Sequence, residues 1–301
     1  MYRVVVLMSV YNGSRYLREQ IDSVLSQTVS DILIYIHDDG SVDGSLEILR
    51  EYASRYDNIK IHSDVHLGYP QCFFYLLKEA PEASYYAFSD QDDVWLPEKL
   101  ERALEKLRNR EAPALYGCPQ QLADEDLQPG RINQSKARYS LGDALFTGNY
   151  IAGCTMVMNA AMRDLFLRNP VPQVAYHDEY MYILATLFGD VIYDGHPYIL
   201  YRQHSANTIG AGSGGITRYI HRLRHMPEIR GRRNQNRLQY VHTILGNYDE
   251  LLPEREQNLL QDVLRMSESY HSRWRLFRRL KFDCSDITET CYKKLALLFF
   301  W

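Results

Sequence analysis

This chain lacks a glycine-rich phosphate loop where a nucleotide-binding fold would place one, between an early strand and its helix. It has no G-x-x-x-x-G-K-S/T, and its one G-x-G-x-x-G string, Gly210–Gly215, lies late in the chain and does not directly follow a strand-like run, so neither a P-loop nor the dinucleotide fingerprint supports a nucleotide-binding reading of the obvious kind. Cysteine is scarce: the 5 residues, at 72, 118, 154, 284 and 291, are odd in number and lack C-x-x-C spacing. That argues against a disulfide framework and reads as reduced core or surface residues of a cytoplasmic protein. Histidines 37, 62 and 66 show no metal-ligand spacing. No uncharged stretch is long enough to span a bilayer, and Met1-Tyr2-Arg3 runs into a short strand-like segment rather than a secretory leader. No internal repeat is evident. What remains is ordinary globular material, 301 residues with 46% hydrophobic and 24% charged, enough for one large α/β domain and an appendage.

Carboxylates stand out against this background. In Ser89-Asp90-Gln91-Asp92-Asp93-Val94-Trp95, three of them crowd behind an aromatic-rich strand, Tyr85-Tyr86-Ala87-Phe88. Pro97 then opens a helical pattern through Leu100, Ala103, Leu104 and Leu107. Ligands of open α/β sheets bind beyond the carboxyl ends of the strands, where these acids fall. Crowded carboxylates repel one another unless a cation lies among them, and hard divalent cations choose oxygen ligands. The bland alternative is an acidic helix N-terminus favoured by the helix dipole. A second strand, Ile32-Leu33-Ile34-Tyr35-Ile36, runs into His37-Asp38-Asp39-Gly40-Ser41-Val42-Asp43-Gly44, and a third, Val4 to Val10, into Tyr11-Asn12-Gly13. Polar turns at three strand tips near one sheet edge suggest a metal bridging a diphosphate.

These three segments, in this order, resemble the signatures of inverting family 2 glycosyltransferases with a GT-A fold. The string Phe88-Ser89-Asp90-Gln91-Asp92-Asp93-Val94-Trp95-Leu96-Pro97-Glu98-Lys99 is most similar to the bacterial rhamnosyltransferase-type subgroup, and the likeness continues at His177-Asp178 and Tyr201-Arg202-Gln203-His204. The resemblance implies a nucleotide-sugar donor and a Mn²⁺ or Mg²⁺ cofactor, with Asp92 as direct ligand, Asp90 in the metal shell or on the ribose, and His204 completing the shell. It implies that Asp38 and Asp39 bind base and ribose, that Val10 and Tyr11 frame a pyrimidine, and that Asp178 is the general base for single displacement. Each has a plainer alternative. Asp178 could cap a helix, His204 could be structural, and Arg202 could contact phosphate or merely pair with a nearby acid.

Strands and helices alternate from 3 to 118, predicting a mostly parallel sheet flanked by helices. Residues 119–147 read as polar and irregular, with Pro129-Gly130 as a turn. Ala152–Met158 reads as a strand, Ala160–Leu167 as a helix, and a helix follows His177-Asp178. The glycine-rich segment 210–215 reads as a hinge over the site or as a plain linker, and charge changes there. Residues 216–301 hold 16 Lys/Arg against 10 Asp/Glu (+6), whereas residues 1–215 carry −10. The expected division is a catalytic domain over 1–215 and a basic helical extension over 216–301.

The run Arg273–Phe282 alternates basic and bulky apolar residues and the chain reaches Leu297-Leu298-Phe299-Phe300-Trp301, which fits a peripheral contact with anionic membrane. Packing on the domain, or a homodimer interface, explains the same pattern. The acidic N-terminal portion and the missing motif argue against nucleic acid. The expected function is transfer of a sugar, first dTDP-L-rhamnose and next a UDP-hexose, to a glycan or lipid-linked glycan acceptor of a bacterial surface polysaccharide, at the inner face of the cell membrane. Nucleotidyl transfer would need a basic glycine-rich loop where Ser9–Gly13 stands. A non-catalytic assembly subunit would have no need of acids at 39, 90, 92 and 178 together.

Overall fold

The computed structural model describes residues 2–63, 65–133, 139–146, 151–169, 172–204 and 226–282. Strands β1 (Tyr2–Val10), β2 (Ile32–Asp38), β3 (Ile59–His62) and β4 (Ala83–Ser89) alternate with helices α1 (Leu17–Leu25), α2 (Ser45–Arg55) and α3 (Gln71–Glu79). A short strand β5 (Val94–Trp95), helix α4 (Lys99–Leu107) and strands β6 (Ala114–Gly117), β7 (Gln120–Ala123) and β8 (Pro129–Asn133) follow. Next come α5 (Leu141–Phe146), β9 (Val157–Asn159), α6 (Ala160–Phe166), α7 (His177–Phe188), β10 (Asp190–Tyr193) and β11 (Ile199–Arg202). Helices α8 (Met226–Tyr248), α9 (Glu254–Leu264) and α10 (Tyr270–Arg279) complete the described chain.

The large sheet runs β10-β6-β9-β4-β1-β2-β3, parallel except for β9, which is antiparallel to both neighbours. Alternation along β1 supplies two cores, as the pleat requires. Val5 and Leu7 face Phe73, Phe74 and Tyr180, while Val4, Val6 and Met8 face Leu17, Ile21, Leu49, Leu100 and Leu104. With both faces covered, β2 is buried from end to end, an apolar run over Ile32–Ile36 that ends in buried His37 and Asp38. Register brings the strand tips to one edge: Val10 lies opposite Asp38, and Met8 opposite Ser89.

A smaller sheet, β5-β11-β7-β8, is not visible in sequence. β11 runs antiparallel to β5, with Ile199 opposite Trp95 and Leu200 opposite Val94. Three local expectations need correction. Pro129-Gly130 begins β8, and the turn lies at Asp124–Gln128, where the Asp124 N–H donates to the Gln128 carbonyl at 3.2 Å. The expected strand over 152–158 is a 3₁₀ turn at Gly153–Thr155 followed by β9, because residues 153–155 fold back before pairing begins. Residues 119–147 contain β7, β8 and α5 rather than irregular chain alone.

The described part of the extension has no core of its own. Tyr240, Val241, Ile244, Leu260, Val263 and Leu276 join the same buried cluster as Leu7, Phe88 and Leu184. On α10, Arg275 and Arg279 pair with Asp262 at 3.1 and 3.0 Å, while Tyr270 and Trp274 stay exposed. No helix among the described residues is long and apolar enough to cross a membrane. The expected hinge at 210–215 and the segment 283–301 lie outside the described residues.

Candidate active site

The tip of β1 is held by side chains of its neighbours. The N–H groups of Tyr11, Asn12, Gly13 and Ser14 donate to Gln91 Oε1, Ser41 Oγ, Ser45 Oγ and Asp43 Oδ2 at 2.8, 2.9, 2.9 and 2.9 Å. Asn12 Oδ1 accepts from the Val42 N–H at 2.9 Å. The serines and aspartate of the β2 turn therefore satisfy backbone donors that the sheet has released. Gly40 and Gly44 hold φ of +88° and +93°, which side-chain-bearing residues rarely adopt. Val10 is buried and its carbonyl accepts from the Asp39 N–H at 2.8 Å. Tyr11 is 53% exposed, with its ring centroid 6.1 Å from that of His66.

Asp38 and Asp39 are both buried but differ in their bonding. Asp38 Oδ2 accepts from the Ser41 N–H at 3.1 Å, and Oδ1 has no hydrogen-bond partner among the described residues. A buried, unpaired carboxylate oxygen at a strand tip has the chemistry to accept from a ligand. Asp39 is occupied: the N–H groups of Leu67 and Gly68 donate to it at 2.5 and 2.9 Å, and His37 and His66 approach at 3.3 and 3.1 Å. Burial alone would push its carboxyl up, but these donors and the Cys72 thiol hold it below the usual carboxylate range. His37, Asp39 and Cys72 place ligating atoms within 4.8 Å of one another. Burial pushes the Cys72 thiol up to about 12, and the thiol and His37 both hydrogen-bond to Asp39.

The acidic loop after β4 is a repulsive environment. Asp90 is pushed up to about 7, first by burial and then by the carboxylates of Asp92 and Asp178, with Lys99 partly offsetting them. Asp93 is fully buried; its Oδ1 accepts from the Arg202 N–H at 3.2 Å, and burial with Asp92 and Asp90 drives its carboxyl well up. Beneath lies buried Lys99, pulled down to about 7 by burial, its Nζ donating to the Cys154 carbonyl at 3.0 Å and sitting 3.1 Å from the centre of the Trp95 ring. Asp92 Oδ2 and His204 Nε2 are 2.9 Å apart. Strand β11, by pairing with β5, is what brings residue 204 back to the acid loop. The ligating atoms that lie within 4.8 Å of one another at this loop are those of Asp90, Asp93 and Cys154, with the Asp92–His204 pair as a further contact, and oxygen ligands with this much negative charge have the chemistry a hard divalent cation prefers.

Arg202 sits elsewhere than at the cleft surface. Its side chain is 2% exposed; Nε donates to the Asp92 carbonyl at 2.9 Å, and the terminal nitrogens reach the Glu125 carbonyl and the Glu19 carboxylate. Its guanidinium also lies 4.5 Å from the Tyr16 ring centre. That geometry matches the ion-pair alternative and fixes the main chain of the acid loop.

Asp178 lies in the first turn of α7. The cap position belongs to Tyr176, which makes no side-chain cap bond; Asp178, the second helical residue, serves the first turn instead. Its Oδ1 accepts from the Glu179 N–H at 2.8 Å, and its charge bears on both Asp90 and Tyr69. Burial, then Asp178 and Asp90, push the Tyr69 hydroxyl up, placing all three groups in one electrostatic neighbourhood. Glu179 accepts from the Tyr240 hydroxyl at 2.8 Å, so α8 braces the turn that carries Asp178. The preceding His177 is buried against Phe73, at 4.0 Å between ring centroids, and neither ring nitrogen has a partner among the described residues.

Sequence reasoning missed Gln91, His66, Tyr69 and Tyr240. Only Gln91 carried a signal, standing between two acids it does not resemble chemically. The structure thus gathers Val10, Tyr11, Asp38 and Asp39 at the β1–β2 end, and Asp90, Asp92 and His204 at the acid loop with Asp178 close by.

Comparison with known proteins places this arrangement. The profile described as Glycosyl transferase family 2 matches residues 5–166. The chain is 30% identical over 225 residues to the dTDP-rhamnosyl transferase RfbG of Shigella flexneri, covering 70% of this chain and 76% of that one. It is 27% identical to an uncharacterized glycosyltransferase of Rickettsia typhi over 72% of this chain and 69% of the relative. Among solved structures, S. aureus TarS 1–349 in complex with UDP-GlcNAc superposes with a TM-score of 0.57 at 15% identity, over 99% of this chain and 89% of that one. The mannosyltransferase PcManGT of Pyrobaculum calidifontis, in complex with GDP-Man and Mn²⁺, gives 0.54 at 14% identity, over 93% and 74%. Those likenesses support the expected GT-A architecture.

Proposed function

We propose, since the chain belongs to glycosyl transferase family 2, that it transfers L-rhamnose from dTDP-L-rhamnose to a glycan or lipid-linked glycan acceptor in surface-polysaccharide synthesis, by a metal-dependent inverting displacement. The observation that carries this reading is the acid loop: Asp90 pushed up to about 7 beside Asp92 and Asp178 is a site short of positive charge. Asp92, Asp90 and His204 would hold Mn²⁺ or Mg²⁺. The ion would neutralise the departing diphosphate as a Lewis acid. Asp38, through its unpaired Oδ1, and the Val10–Tyr11 backbone receive the nucleoside, while the exposed Tyr11 ring offers a stacking face. Asp39 orders the 66–68 loop beside it and reaches the base once that loop yields a donor. Asp178 takes the proton from the acceptor hydroxyl on the face opposite the leaving group, which inverts the anomeric centre. Arg202 serves the site by anchoring the acid loop.

The donor follows the rhamnosyl transferase relative, at 30% identity. Residues 1–215 carry the chemistry; within the basic portion 216–301, the described helix α8 braces α7 and α10 offers Tyr270, Trp274 and Arg278 to an anionic membrane at the cytoplasmic face. The test is a donor screen. Release of nucleoside diphosphate from dTDP-L-rhamnose and UDP-hexoses, with Mn²⁺ and with EDTA, should favour dTDP-L-rhamnose and require metal. Turnover undiminished in EDTA, or release from a UDP-hexose alone, would overturn the metal or donor assignment respectively.

A further inference from the structure

We propose that Gln91 is a positioning residue whose carboxamide locks the nucleoside end of the donor site to its metal end. The inference rests on the donor-site reading above. Gln91 Oε1 accepts from the Tyr11 N–H at 2.8 Å, and Gln91 Nε2 donates to the Tyr11 carbonyl at 3.0 Å. One amide therefore satisfies both polar groups of one residue, as an adjacent strand would. The need arises from the sheet itself. The β1–β4 ladder ends at Met8 opposite Ser89, and beyond it the chain leaves the sheet to form the acid loop. The Gln91 side chain replaces the pairing that β4 no longer provides.

A second, independent feature points to the same amide. A Cβ on Gly13 would lie 2.3 Å from Gln91 Oε1, 2.5 Å from Cδ and 3.0 Å from Nε2, and those are its three nearest neighbours. Glycine at 13 thus leaves the room the carboxamide occupies. The other bonds to this turn, from Ser41, Ser45 and Asp43, come from the β2 side. Gln91 is the link from the side of Asp90 and Asp92, its immediate neighbours in sequence. Glutamate keeps the length but has no donor for the Tyr11 carbonyl, and asparagine is one methylene short. Any shift of the Tyr11 peptide is passed through this amide to the loop bearing Asp90 and Asp92, so nucleoside and metal bind cooperatively.

The experiment measures dTDP binding to the full chain by calorimetry with and without Mn²⁺, alongside Mn²⁺ binding alone and the melting temperature. Wild type should bind dTDP more tightly with Mn²⁺; if it does not, the donor-site reading fails rather than the clamp. Gln91→Ala and Gln91→Glu should each shrink that Mn²⁺-dependent gain about tenfold, or about 1.4 kcal/mol, with melting temperature and binding of Mn²⁺ alone nearly unchanged. Gly13→Ala should reproduce the loss by expelling the amide. Adding Gly13→Ala to Gln91→Ala should cost nothing more, since the clash is gone. A wild-type gain in both Gln91 variants, or additive losses in the double variant, would refute the clamp. If one Gln91 variant loses its fold, the other and Gly13→Ala decide the matter.

Discussion

Replacing Asp178 by asparagine separates chemistry from architecture at one position. Asn Oδ1 can keep the bond that Asp178 Oδ1 accepts from the Glu179 N–H at 2.8 Å, and the helix cap lies at Tyr176. The fold should lose only the first-turn charge–dipole attraction, about 0.3–1 kcal/mol. Transfer should fall about 10²–10⁴-fold, the usual share of a general base, equivalent to roughly 3–5 kcal/mol of barrier. The electrostatics add a second readout. Asp178 is one of the carboxylates holding Asp90 at about 7, after burial and Asp92, so the variant should lower the Asp90 titration. The assay is rhamnosyl transfer to acceptor beside dTDP affinity, thermal melting and carboxyl titration by NMR. A near-wild-type rate, with the Asp90 titration lowered as expected, would remove Asp178 from the mechanism. A rate loss matched by loss of fold would instead assign it to stability.

Asp92→Ala should abolish turnover and leave dTDP binding indifferent to Mn²⁺ while the protein still melts cooperatively; retained Mn²⁺ binding by paramagnetic relaxation would move the metal elsewhere. His177, pulled down to about 3 by burial, is neutral in the fold where the unfolded chain titrates near 6.5. The unfolded state then binds more protons between those values, so stability falls as pH drops through that window and is untouched above it. His177→Phe should remove about 2–3 kcal/mol of that acid sensitivity at pH 4.5, measured by denaturant unfolding at pH 7 and 4.5; parallel pH dependence in both proteins would contradict the buried neutral imidazole. On α10, replacing exposed Trp274 and Arg278 by Ser and Glu should cut sedimentation with anionic vesicles severalfold at low salt without altering donor hydrolysis, and unchanged partitioning would reject the membrane face.

Short-range pattern alone determined much of this protein. The apolar runs of β1, β2 and β4 and the polar residues that follow them are local features, and parallel pairing then forces their tips to one edge. Asp38, Asp90 and Asp92 could be singled out for that reason, since they stand where a strand ends, and Asp178 through the family resemblance and its place at a helix start. Tertiary structure decided how those residues are used. Asp38 and Asp39 are neighbours of identical chemistry, yet a loop 28 residues away saturates one, while an oxygen of the other has no partner among the described residues. His204 meets Asp92 across 112 residues because β11 pairs with a two-residue strand too short to show a period. Arg202 looked fit for a phosphate and is spent inside, since β11 turns it under the acid loop. The basic helices, read as a separate appendage, bury Tyr240 and Leu276 in the catalytic core. Periodicity records which face of a segment is apolar. Which other segment covers that face depends on packing between residues far apart in the chain, and no local pattern carries it.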